Sequence, residues 1–172
     1  FDYAHNAHAV GVMADLAQRL DVEGRRIVVV AGPGDRRDED LVAIAQAGAG
    51  RFDHYICRRD DALRGRDGDE VPTIMARALR EAGVDPDAIS VIPDEQEAVD
   101  AALRMGRPGD LLLVFADALA RSWKQITKFR PEGAAAGPAR PVQPPPLPRA
   151  APQEPAFDLE GLVREERGLV FA

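Results

Sequence analysis

At 172 residues the chain has room for one domain with a proper core and an appendage. A net charge of -7 argues against a nucleic-acid binder, which needs a basic face, and against a protein held to anionic lipid. No apolar run approaches the ~20 residues that span a bilayer. The single cysteine, Cys57, excludes an internal disulfide and fits the reducing cytoplasm, where the protein is expected.

In chain order, residues 1–3 read as the end of a strand. Asn6 then caps a helix running to about residue 20, with Val10, Met13, Leu16, Ala17 and Leu20 on its inner face. Residues 26–31 read as a strand: after Arg26 they run Ile27-Val28-Val29-Val30-Ala31, the continuous apolar pattern of a parallel strand buried on both faces. A glycine loop, 32–37, leads into a helix from 38 to about 49. A short strand at 52–57 is followed by a charged loop, 58–69, and a helix over 70–82. Residues 89–92 predict a strand, 95–105 a helix, 111–115 a second continuous apolar strand, and 116–129 a helix with Leu119, Trp123 and Ile126 inward. Strict alternation predicts an α/β, Rossmann-like fold, a mostly parallel sheet with helices on both faces.

The composition changes at residue 130. Nine of the chain's 14 prolines fall between Pro131 and Pro155, so 130–156 reads as a flexible proline-rich linker that cannot offset its ordering entropy. Residues 157–172 regain Leu159, Leu162, Val163, Leu169, Val170 and Phe171 and predict a short helix with an apolar tip, or a frayed tail. The domain is placed at 1–129.

Ligands of open parallel sheets bind outside the carboxyl ends of the strands. Three polar loops are expected at that edge, at 2–6, 32–40 and 58–69. Gly32-Pro33-Gly34-Asp35-Arg36-Arg37 permits close backbone approach, and its arginines suit phosphate or carboxylate, yet it is neither a P-loop nor a dinucleotide fingerprint. Residues 58–66 mix both signs of charge, as an amino-acid ligand would require. Arg64 suits an α-carboxylate, and Asp60 or Asp61 a cationic group. Taken singly, the first loop also reads as a glycine turn with solvated charges and the second as a salt-bridged surface loop. His5 and His8 lack further ligands nearby, so no metal site is expected. No complete catalytic apparatus is visible.

Three motifs in order carry a resemblance. Asp2-Tyr3-Ala4-His5 resembles the motif opening the C-terminal domain of Mur ligases, which add amino acids to peptidoglycan precursors. Gly34-Asp35-Arg36-Arg37-Asp38 is similar to that family's Gly-Asp-Arg-Asp loop, with one extra arginine. Asp60-Asp61-Ala62-Leu63-Arg64 stands where the diaminopimelate- and lysine-adding branch has Asp-Asp-Asn-Pro-Arg. The run from Ala31 to Asp40 and the Asp60–Arg66 segment resemble the cyanophycin synthetase branch most, and the resemblance covers residues 1 to about 129.

That resemblance implies a C-terminal lid of an ATP-dependent ligase that joins arginine to the side-chain carboxylate of a polyaspartate backbone. It puts Asp2, His5 and Asn6 near the nucleotide, and Asp35 and Arg36 near the phosphates or the acyl phosphate. Asp60, Asp61 and Arg64 fall near the incoming amino acid. ATP and Mg2+ are implied, with magnesium ligands expected mainly from an upstream Mur-like central domain. An ATP-grasp half of the same polypeptide, the amino acid, the polymer and a homo-oligomeric full-length protein are implied as partners. Where the diaminopimelate-adding branch has Gly-Lys-Gly-His-Glu after its late strand, this chain has Ala116-Asp117-Ala118, which leaves that loop's role open. The chain is expected to be a piece of a longer protein. A silent flavodoxin-like binding module, or a lid for another amino acid, fits the composition equally.

Overall fold

In the computed structural model the described residues are 1–130 and, for backbone alone, 162–165 and 168–171. Strand β1 (Arg26–Gly32) is the centre of a four-stranded parallel sheet ordered β3-β2-β1-β4, with β2 His54–Arg59, β3 Ile89–Val91 and β4 Leu111–Val114. β1 is central because every residue after Arg26 is buried and its β-branched side chains pack on both faces. Val29 pairs with Ile56 on one side and Val114 on the other. Asp2 extends the sheet beyond β4. Its amide donates to the Val114 carbonyl at 2.9 Å, and its own carbonyl accepts from Ala116 at 2.9 Å.

Alternate side chains divide the core. Val28, Val30, Tyr55, Cys57, Leu113 and Phe115 face α1 (Ala7–Arg19), α2 (Asp38–Gly48) and α3 (Glu70–Glu81). Val29, Ile56 and Val114 face α4 (Glu95–Met105) and α5 (Leu119–Lys128). The division follows from handedness. The chain moves outward through β1, β2 and β3 and then returns to β4, and right-handed crossovers in opposite directions place their helices on opposite faces. The reversal falls between β1 and β4, where loops diverge and leave a crevice.

Three expectations are corrected. First, β2 runs two residues further than the 52–57 reading, so Arg58 and Arg59 belong to the strand. Second, Leu119 and Trp123 lie 43% and 56% exposed, because α5 turns Ser122 inward beside the expected Ile126. On α1, Leu16 and Leu20 are likewise exposed, while Val10, Ala14 and Ala17 are buried: alanines let the helix approach the sheet closely. Third, the tail forms no helix where it is described. Leu162–Glu165 (β5) pairs antiparallel with Gly168–Phe171 (β6), Val163 opposite Val170. Gly168 disfavours a helix by about 1 kcal/mol, and valine and phenylalanine favour strands. These residues belong to a separate unit, Ala135–Ala172. The proline-rich reading of 130–156 falls, beyond Arg130, outside the described residues.

Candidate functional site

The carboxyl edge of the sheet is organised by a buried ion pair. Arg58, at the end of β2, is 1% exposed and lies on the α4–α5 face, two residues from Ile56. Its guanidinium passes the end of β1 to donate to the Phe115 carbonyl (3.3 and 2.8 Å) beyond β4 and to the Arg59 carbonyl (2.7 Å). It meets Glu95 at 3.0 Å and Asp60 at 3.7 Å. Glu95 is 0% exposed at the start of α4, where Asp94 caps the helix by accepting from the Glu97 amide. Its carboxylate also accepts from the amides of Asp117 (2.6 Å) and Ala118 (3.2 Å) and from the Ser122 hydroxyl (2.6 Å).

Desolvating each ion costs several kcal/mol, so such a pair persists only when the remaining donors and acceptors are matched. Here they are, and no buried side-chain nitrogen or oxygen among the described residues lacks a partner. Burial lowers the Arg58 pKa while Glu95 and Asp60 pull it back up. An arginine nevertheless stays protonated, because its intrinsic pKa is so high.

The loops after β1 and β2 are stapled together. Arg66 donates to the carbonyls of Gly34 (3.0 Å) and Arg36 (2.6 Å) and pairs with Asp38 (2.8 Å). Gly34 is obligatory, since a Cβ there would meet the Leu63 carbonyl. Arg64 adopts a left-handed φ of 50°, a strained conformation for an arginine, and meets Asp35 at 2.9 Å. Desolvation opposes it, but the hydrogen bond and charge of Arg64 outweigh it and hold Asp35 below the usual carboxylate value.

Two recesses open beside this framework. The larger, 380 Å³, lies between the start of α1 and the start of α2 and is lined by His5, Asn6, Arg36, Arg37 and Asp40. Arg37 is committed to Asp40 at 3.1 Å, whereas the exposed Arg36 side chain makes no hydrogen bond or ion pair among the described residues and feels Asp35 and Asp40 only through their fields. The first turn of α2 holds three acids, which already answer its dipole, but that of α1 holds none. This recess is therefore cationic and suits an anion. The smaller is a notch lined by Tyr3, His5, Arg58, Asp60 and Asp117. Asp60 is 8% exposed, and burial, then Asp117, raise its pKa against the pull of Arg58 and Arg64. The notch is therefore acidic at its mouth, and His5 lines both recesses.

The expected site residues are thus only partly assembled. His5, Asn6 and Arg36 share the anionic-ligand recess, and Asp60 faces the notch. Asn6 spends its side-chain oxygen on the Ala9 amide (2.9 Å), and Asp2 spends one on Ala4 (2.7 Å). Asp61 turns away from Asp60 to pair with Arg121 on α5 at 2.8 Å. Asp35 and Arg64 pair with each other and line neither recess. Sequence reasoning missed Glu95, Asp117, Arg66 and Arg121, and took Arg58 for a loop residue. The parity of β2 carried a signal for Arg58, since residues 56 and 58 share a face. Nothing local marks Glu95 as buried.

A family model described as "Mur ligase, glutamate ligase domain" matches residues 1–118. The chain belongs to the Mur ligase family, and the matched region is that domain. Among curated proteins it is similar to the cyanophycin synthetase of Geminocystis herdmanii, 36% identical over 129 residues, 74% of this chain and 14% of that protein. The cyanophycin synthetase of Synechocystis is 34% identical over 132 residues, 77% of this chain and 15% of that protein. The chain thus spans about one seventh of the length of these two relatives. A solved UDP-N-acetylmuramoyl-L-alanyl-D-glutamate–2,6-diaminopimelate ligase shares the fold, with a TM-score of 0.57 at 19% identity over 73% of this chain and 28% of that one.

Replacing Glu95 by alanine leaves Arg58 buried without its partner and is expected to cost about 3–5 kcal/mol in urea unfolding, whereas the double change Arg58→Met with Glu95→Leu costs less. Asp60 holds its proton more tightly folded than unfolded, so its ionisation destabilises the fold as pH rises above about 3.9. Asp60→Asn is expected to raise the melting temperature at pH 7, with the gain vanishing below that value.

Proposed function

We propose that this chain is the C-terminal lid of a cyanophycin-synthetase-like ligase, which joins arginine to the side-chain carboxylate of a polyaspartate backbone after ATP activates that carboxylate as an acyl phosphate. The observation that carries the reading is the adjacency of a cationic recess and an acidic notch, with His5 between them. An amide-forming ligase must bring a phosphorylated carboxyl and an amine together, and it needs opposite fields a few ångströms apart. The similarity to two cyanophycin synthetases supports the choice of substrates.

In this reading Arg36, which makes no side-chain hydrogen bond or ion pair among the described residues, meets the phosphate or acyl-phosphate charge, helped by the α1 N-terminus and by Asp35 through its hold on Arg64. Asp2, His5 and Asn6 shape the nucleotide side. Asp60, joined by Asp117, holds the cationic end of the incoming amino acid, while Asp61 fixes the loop to α5. Arg64 exchanges Asp35 for the amino acid's α-carboxylate, an exchange of one carboxylate partner for another.

Among the described residues no group of three or more His, Cys, Asp and Glu converges as a metal site. The magnesium ligands are assigned to an upstream Mur-like central domain, with an ATP-grasp half and self-association as further features of the full-length protein. No described helix is long and apolar enough to cross a membrane, and a cytoplasmic location is proposed.

Lacking that domain, the isolated chain is expected to show no arginine-dependent ATP turnover. In the full-length protein Arg64→Ala is expected to raise the apparent KM for arginine about tenfold or more, the cost of a charge-assisted bidentate contact, with the KM for ATP little changed. An unchanged KM for arginine removes Arg64 from this role, and turnover with lysine in place of arginine reassigns the substrate.

A further inference from the structure

Helix α5 is electrostatically unlike the rest of the chain. It carries Arg121, Lys124 and Lys128 and no acid, and those lysines are the only two in a sequence of net charge -7. Both are exposed, and neither has a partner among the described residues. They border an open groove of 500 Å³ between α4 and α5, with Gln96, Gln125 and Phe129 among its other walls. The groove's acid, Asp100, is already paired with Arg104 at 2.6 Å.

The groove's amides are rigidly set. Gln96 donates to the Gln125 side-chain oxygen (2.9 Å), and Gln125 donates to the Gln96 carbonyl (2.9 Å). Each amide nitrogen keeps a second N–H, available to a peptide carbonyl. Along the helix Lys124 and Lys128 are about 6 Å apart. Alternate side chains of an extended peptide lie about 6.6 Å apart on one face. Carboxylates on such a strand therefore match the lysines in spacing as well as in charge. At the near end of this row Arg121 pairs with Asp61 (2.8 Å) and lies 3.5 Å from Glu95, whose carboxylate also accepts from the amide of Asp117, a residue that lines the acidic notch.

We propose that the α4–α5 groove binds an extended, carboxylate-bearing peptide strand and leads it toward the notch. The identity of the strand as the polyaspartate acceptor, whose side-chain carboxylates are not yet joined to arginine, rests on the functional reading above, whereas the groove itself requires only regularly spaced carboxylates. Arg121 positions the loop at the near end, and Lys124 and Lys128 are the binding cations.

The single tryptophan, Trp123, is exposed on α5 beside Lys124 and gives an intrinsic fluorescence probe. Titration of the chain with a short oligo-aspartate peptide is expected to give a saturable change that weakens with salt. An oligo-asparagine peptide should give none. In the Lys124→Gln/Lys128→Gln variant, with helix content verified by circular dichroism, the dissociation constant is expected to rise about tenfold. Absence of saturable oligo-aspartate binding, or a variant binding within about twofold of wild type, overturns the proposal, as does tighter binding of a single-stranded oligonucleotide of equal charge. Arg64→Ala should leave this titration unchanged. Loss of the ligase reading, through a full-length protein inactive with aspartate and arginine, is thus separable from loss of the groove.

Discussion

The arrangement of the carboxyl edge depends on Arg58 and Glu95. The guanidinium starts on β2, passes the end of β1 and reaches the carbonyl beyond β4, while Glu95 at the head of α4 gathers the amides that lead into α5. Two strands and two helices are therefore fixed by one pair. A lysine could not replace the arginine, because a single ammonium lacks the planar fork that serves two carbonyls and a carboxylate together. The pair gains little net stability over apolar packing, since its attraction must first offset the desolvation of both ions. What it provides is placement of the loops that surround the two recesses.

That placement determines the electrostatics of the edge. With Arg58 held behind it, Asp60 faces a notch shared with Asp117 rather than solvent, and burial keeps its proton affinity high. On the other side of His5, Arg36 is left unpaired while Arg37, Arg64 and Arg66 are each matched to an acid. A chain of net charge -7 thus presents a local positive field in one recess and a negative one in the next. The cost is visible in the backbone at Arg64 and in the buried Asp60 carboxylate. Such unfavourable details are where a fold stores the requirements of a site.

The main features of the fold are legible in short stretches of sequence. The valine run of β1 announces a central parallel strand, and alternation with helical segments announces helices on both faces. The order of three polar motifs announces a ligand edge and a family. Errors arose where the outcome depends on partners distant in the chain. Arg58 and Arg59 looked like loop because charge usually ends a strand, but Glu95 and the Phe115 carbonyl accept Arg58 inside. The face of α5 was misjudged because Ser122, not Trp123, finds the buried acceptor. Asp60 and Asp61 read as one pair but diverge, because the chain bends at Asp61 after leaving β2.

Sequence alone therefore determined the alternation of elements, the family and which loops would share an edge, because those follow from local periodicity and from motif order. Only the tertiary structure decided which charges are spent and which are available. Asp35 with Arg64, Asp61 with Arg121 and Arg58 with Glu95 are matched across long separations, which leaves Arg36 open and Asp60 with only a 3.7 Å contact to Arg58. The physical reason is that Coulomb and hydrogen-bond energies depend on distance and burial in space, and neither is encoded by neighbours in the chain.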